Sequence, residues 1–71
     1  MTEKRQEAIA RLEGFIRDFI AEHHYSPTTR ECCKGIGVKS TSTVHSYLQT
    51  MRDEGIIAFD DAKPRTIRLL K

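Results

Sequence analysis

The sequence predicts an α+β domain that is mainly α, a three-helix bundle followed by a C-terminal two-stranded β-hairpin. Three observations carry this expectation. Apolar residues recur at helical spacing in three stretches up to Met51, and a hydroxyl residue stands where each stretch begins. Pro27 lies between the first stretch and the second, and Gly37 between the second and the third. Beyond Gly55 the pattern changes to two short runs of strand-forming residues around a turn.

In the first helix Thr2 can cap the start, and Ile9, Leu12, Ile16, Phe19 and Ile20 form an apolar stripe that Phe15 widens. Gly14 falls on the outer side, at a cost of about 1 kcal/mol relative to alanine, and the pattern stops near His24. In Tyr25-Ser26-Pro27-Thr28-Thr29 the proline turns Ser26 away from helical dihedrals, and Thr28 or Thr29 can cap a second helix. That helix is short, with Cys32 and Ile36 on one face and Gly37 free to take the left-handed conformation that ends it. Cys32 is expected in the core and Cys33 partly exposed.

A third helix is expected from about Ser40 to Glu54. Ser40, Thr41, Ser42 and Thr43 concentrate hydroxyls at its start, and Val44, Tyr47, Leu48 and Met51 mark its buried side. After Gly55, Ile56–Phe59 and Arg65–Leu69 read as strands joined by Asp60-Asp61-Ala62-Lys63-Pro64. An isolated hairpin is marginal in water, so this one must pack its apolar face on the helices. The order is that of a winged helix-turn-helix, a single domain over residues 1–71.

A chain of 71 residues buries only about 60% of its unfolded surface, which argues against a deep catalytic cleft between two lobes. The net charge of +2, from 12 Lys+Arg and 10 Asp+Glu, neither requires nor opposes a nucleic-acid partner. No apolar run approaches the roughly 20 residues of a membrane span, and Met1–Gln6 is polar, so a cytoplasmic protein without a membrane partner is expected. The two cysteines are neighbours and supply no disulfide framework, so stability must come from packing. Adjacent cysteines also lack the two-to-four-residue spacing with which two thiolates of one turn close on a metal; neither metal nor cofactor is expected. His45 and Ser46 point about 100° apart on a helix and cannot form a nucleophile and base pair, so the chain is not expected to be an enzyme.

The unusual surface is the outer face of the third helix. Ser42, Ser46 and Gln49 project opposite Val44 and Leu48, with Thr43 and His45 beside them. Ordinary solvated helices carry Glu and Lys there, whereas short hydroxyls, imidazole and amide can approach base edges and exchange hydrogen bonds with them. From Cys32 to Arg52 there is no acidic residue, while Lys34, Lys39 and Arg52 are present. A phosphate backbone would meet no like charge along this span.

The stretches Tyr25–Glu31, Ile36-Gly37-Val38-Lys39-Ser40-Thr41-Ser42-Thr43-Val44-His45-Ser46-Tyr47-Leu48, Glu54–Ile57 and Lys63-Pro64-Arg65-Thr66-Ile67 resemble the N-terminal DNA-binding domain of LexA, the SOS-response repressor, in its Gram-positive form. The resemblance covers roughly residues 12 to 70. It implies a three-helix bundle with a two-stranded wing, repression through palindromic double-stranded operators bound by a pair of domains, and base contacts from the start of the third helix. Carried over by position, Ser42, Thr43, His45 and Ser46 read bases. Thr28, Thr29, Arg30, Lys39, Ser40, Lys63 and Arg65 approach phosphates, and Ser40 also caps the third helix. Ala58 and Phe59 stand where the family commonly has basic residues. A full LexA continues into a self-cleaving dimerisation domain, which this sequence is expected to lack; the expectation is a monomer in solution that pairs on DNA. Exposed apolar residues near Phe59 are the first suspects should the chain dimerise by itself. The alternative is an interaction module of a phage or other mobile element that binds another regulator or a nucleic-acid-handling protein, motivated by the low net charge and by Asp53, Asp60 and Asp61.

Overall fold

The structure, a computed structural model, describes residues 2–60 and 62–70, with the backbone alone for residues 2–4. The cap expected from the Thr2 side chain and the turn residue Asp61 lie outside what is described. Three helices, α1 (Thr2–His23), α2 (Thr29–Ile36) and α3 (Thr41–Asp53), precede two strands, β1 (Ile57–Ala58) and β2 (Arg68–Leu69). No helix is long and apolar enough to cross a membrane among the described residues.

The stripe of α1 does what its spacing requires: Leu12 and Ile16 are fully buried, and Ile9, Phe15 and Ile20 pack around them. His24 stops the helix in the left-handed region (φ 65°), its amide bonded to the Ile20 carbonyl at 2.8 Å. Thr28, rather than Thr29, caps α2. The Glu31 amide donates to Thr28 Oγ1 (3.2 Å) and the Thr28 amide donates to Glu31 Oε1 (2.9 Å), which satisfies two otherwise orphaned donors reciprocally. Gly37 closes α2 at φ 76°, a conformation that a Cβ would penalise.

Cys33 is a correction to the expected pattern. It is buried, not partly exposed, and its thiol lies 3.6 Å from the Ser40 carbonyl as a weak donor. The eight-residue α2 packs against both α1 and α3, so both of its flanks are covered; its exposed side chains are Arg30 at its start and Lys34 near its end, while Gly35 faces the Phe15 ring.

Ser40 caps α3 by accepting from the Thr43 amide (3.4 Å), and Val44, Leu48 and Met51 enter the core. The strands pair antiparallel with Ile57 opposite Leu69 and Ala58 opposite Arg68. They are two residues each, shorter than the runs Ile56–Phe59 and Arg65–Leu69 suggest. Polar pinning cuts them short: the Asp60 amide donates to Thr66 Oγ1 (2.9 Å), the single Thr66 hydroxyl proton lies within reach of either the Asp60 or the Lys63 carbonyl (both 3.2 Å), and Arg65 takes a left-handed backbone (φ 57°). The loop from Asp60 to Thr66 is the tip of the wing. Ile57 and Ile67 plug the hairpin into the same core as Leu12, Ile16, Cys32, Ile36, Val44, Leu48 and Met51, so one apolar cluster joins all the elements.

Candidate nucleic-acid interface

α2, the turn at Gly37–Lys39 and α3 form the helix-turn-helix, and the wing stands beside α3. Along α3 the side chains farthest from the core are Ser42, Gln49 and Asp53, all exposed. Gln49 therefore shares the centre of the outer strip with Ser42. The strip has two flanks, and each is built by a residue distant in sequence.

On one flank lies Ser46, half-buried where the projection of α3 alone leaves it open. Arg5, 41 residues away on α1, donates to Ser46 Oγ (3.2 Å) and to Thr50 Oγ1 (2.7 Å), and its guanidinium sits 5.2 Å from the centre of the Tyr47 ring. A guanidinium thus borders the neutral strip at a position that periodicity along α3 could not reveal. On the other flank His45 is half-buried, its ring 6.1 Å from that of Phe59 in an edge-to-face arrangement. Arg52 covers Phe59 at 4.4 Å from its ring centre and lies 3.5 Å from its carbonyl oxygen. Phe59 is consequently packed between α3 residues rather than displayed as an exposed apolar patch. Among the described residues the exposed large hydrophobics are Tyr25 and Leu70.

Two depressions gather most of the remaining candidates. Thr29, Thr41, Ser42 and His45 line a shallow one between the starts of α2 and α3. A cleft of about 310 Å³ between α3 and the wing includes Thr28, Thr29, His45, Phe59, Lys63 and Arg65 in its wall. Arg30, Lys39 and Ser40 are exposed outside both, and Thr43 is half-buried with its amide on the Ser40 cap. Lys63 is exposed on the wing. Arg65, a residue expected to approach phosphate, is exposed and has its guanidinium paired with Glu31: Nη1 and Nη2 lie 3.0 and 3.2 Å from the two carboxylate oxygens. The Glu31 carboxyl is held below the usual carboxylate range, first by the Thr28 amide and then by Arg65.

Comparison with known proteins agrees with this geometry. The family described as LexA DNA binding domain matches residues 1–66. The chain is 41% identical over 71 residues to the LexA repressor of Clostridium novyi, covering 100% of this chain and 35% of that protein. It is 40% identical over 70 residues to the LexA repressor of Acetivibrio thermocellus, covering 99% of this chain and 33% of that protein. The LexA repressor of Clostridium kluyveri is 41% identical over 71 residues, with 100% of this chain and 35% of the repressor covered. The chain spans about a third of the length of these curated relatives.

Proposed function

Since the chain belongs to the LexA DNA-binding domain family, we propose that it binds double-stranded DNA sequence-specifically as a LexA-like repressor module, with α3 in the major groove. The observation that carries this reading is the outer strip of α3. From Ser42 to Gln49 it is neutral and rich in hydrogen-bonding groups, with Arg5 along one edge and Asp53 as the first carboxylate, a turn beyond Gln49. Side chains this short let the helix backbone approach base edges closely, and their donors and acceptors match the groups displayed there.

In this reading Ser42, Thr43, His45 and Ser46 face bases, and Gln49 extends the set by one position. Thr28, Thr29, Arg30, Lys39, Ser40 and Lys63 address the phosphates on either side, with Arg5 as an additional cation. One such module covers one half-site, so two copies, each a monomer in solution, would meet on a palindrome.

A salt series tests the reading. If Arg30, Lys39 and Lys63 each neutralise one phosphate, the logarithm of the binding constant falls with that of salt at a slope near −3 per half-site. That is roughly a forty-fold loss between about 50 and 200 mM. Affinity indifferent to salt, or equal on every member of a random DNA pool, contradicts sequence-specific DNA binding. Sedimentation of the free chain at micromolar concentration tests the monomer.

A further inference from the structure

We propose that Glu31 and Arg65 form a clamp that positions the wing against the start of α2, and that Arg65 serves DNA binding through this clamp rather than by touching phosphate. The proposal rests on the DNA-binding reading above and assigns to Arg65 a different role from its charged neighbour Lys63.

Four features converge on it. The guanidinium meets the Glu31 carboxylate fork to fork, at 3.0 and 3.2 Å, and its Nη1 also donates to the Ser26 carbonyl at 3.1 Å. The same group lies 4.7 Å from the centre of the Tyr25 ring, so the segment before α2 holds it from several sides. Arg65 also adopts φ 57°, a conformation that residues with long side chains rarely take. Finally, Glu31 is shared. Its Oε1 accepts from the Thr28 amide within the α2 cap as well as from Arg65, so one carboxylate joins the beginning of the helix-turn-helix to the wing across 34 residues of sequence.

The consequence is geometric. Asp60 and Thr66 pin the loop to itself, whereas the Arg65 clamp ties it to the α2 start, where Thr28 and Thr29 share a cleft with Lys63. A phosphate competing for Arg65 would have to displace a two-toothed carboxylate and leave that carboxylate facing DNA. Position, not charge, is then what Arg65 contributes.

The test uses Glu31→Gln, Arg65→Gln, the double variant and Arg65→Lys. Glutamine at 31 still accepts from the Thr28 amide and so preserves the cap while removing the charge. Binding to operator DNA is measured well below the melting temperature of every variant, as a function of salt. Backbone order parameters of wing residues 62–66 are measured on the free chain. Glu31→Gln and Arg65→Gln should each weaken binding by about two- to five-fold, and the double variant should be no weaker than either. The salt slope should hold in all of them, and wing order parameters should fall in both single variants. Arg65→Lys, which keeps the charge but loses the planar fork, should resemble Arg65→Gln.

The opposite pattern overturns the clamp: Glu31→Gln binding as well as or better than the parent, Arg65→Gln lowering the slope by about one contact, or Arg65→Lys restoring affinity. If the parent chain binds no DNA, the function proposed above fails. The wing order parameters then decide the positioning claim by themselves, a fall in both single variants supporting it and unchanged values refuting it.

Discussion

Replacing Gly35 by alanine is expected to destabilise the fold, whereas the same replacement at Gly14 is expected to stabilise it. Both glycines lie within helices, where alanine is favoured by about 1 kcal/mol. At Gly14 an added Cβ meets nothing within 4 Å, so that gain stands whole. At Gly35 the Cβ would stand inside the van der Waals envelope of the Phe15 ring, against Cδ1, Cε1 and Cζ, and the ring would have to swing away from α2. Phe15 is half-buried against the core. Withdrawing it forfeits about half of the roughly 1.5–3 kcal/mol that full burial of such a side chain contributes. Its ring contact with Phe19, at 5.7 Å between centres, adds a further loss of about 0.5–1.5 kcal/mol. Set against the helix gain, the balance is a net cost of about 0.3–2 kcal/mol. In a domain of this size each kcal/mol moves Tm by about 4–8 °C, so thermal unfolding followed by circular dichroism separates the two variants by sign. The penalty belongs to the ring, and in a Phe15→Ala background Gly35→Ala should become neutral or stabilising. A rise in Tm for Gly35→Ala in the parent chain, or an equal penalty without the ring, would refute this reasoning.

Further outcomes follow from the same contacts. Glu31 has a folded-state pKa below its ordinary value of 4.5, so its contribution to stability is present above that value and is lost as pH falls through the lower folded pKa. Glu31→Gln should therefore flatten the decline of stability in the acid range below about pH 4.5, and an unchanged acid limb in denaturant titrations would contradict the assignment. Burial pushes the Cys32 thiol up to about 12, with Cys33 and Glu31 adding to the shift, so Cys32 stays protonated and enclosed. A thiol reagent at pH 8 should label both buried cysteines only as fast as the chain opens, and rapid labelling of the folded protein would show that α2 is not sealed. At the proposed base-reading strip, Ser42→Ala and His45→Ala should each cost about 1–3 kcal/mol on a cognate site and relax preference at one base position. Equal losses on random DNA would remove them from that role.

Much of the architecture is legible locally. The stripe Leu12–Ile16, the set Val44–Leu48–Met51 and the caps at Thr28, Ser40 and Gly37 depend on residues within about one turn of each other, and helical geometry converts such spacing directly into faces and ends. The neutral outer strip of α3 follows by the same projection, because it is the complement of the buried side. The hairpin follows from the change of pattern after Gly55, and family resemblance added the palindromic operator and the individual base and phosphate roles.

What the tertiary structure alone decided involves partners far apart in the chain. Ser46 is bordered by Arg5, His45 by Phe59 and Glu31 by Arg65, partners 41, 14 and 34 positions apart in the sequence. Such pairs depend on how α1 crosses α3 and on where the hairpin lands, neither of which leaves a periodic signal. Cys33 is misjudged for a related reason: one helix face can be projected from sequence, but coverage of α2 from both flanks comes from its neighbours. Arg65 depends on the same kind of contact. Its charge and its place beside Pro64 are written in the sequence, while the pairing of its guanidinium with the Glu31 carboxylate, on which the proposed clamp rests, is visible only in the folded chain. A side chain's charge is written in the sequence, but the acceptor it meets is set by the packing of elements that the chain itself keeps far apart.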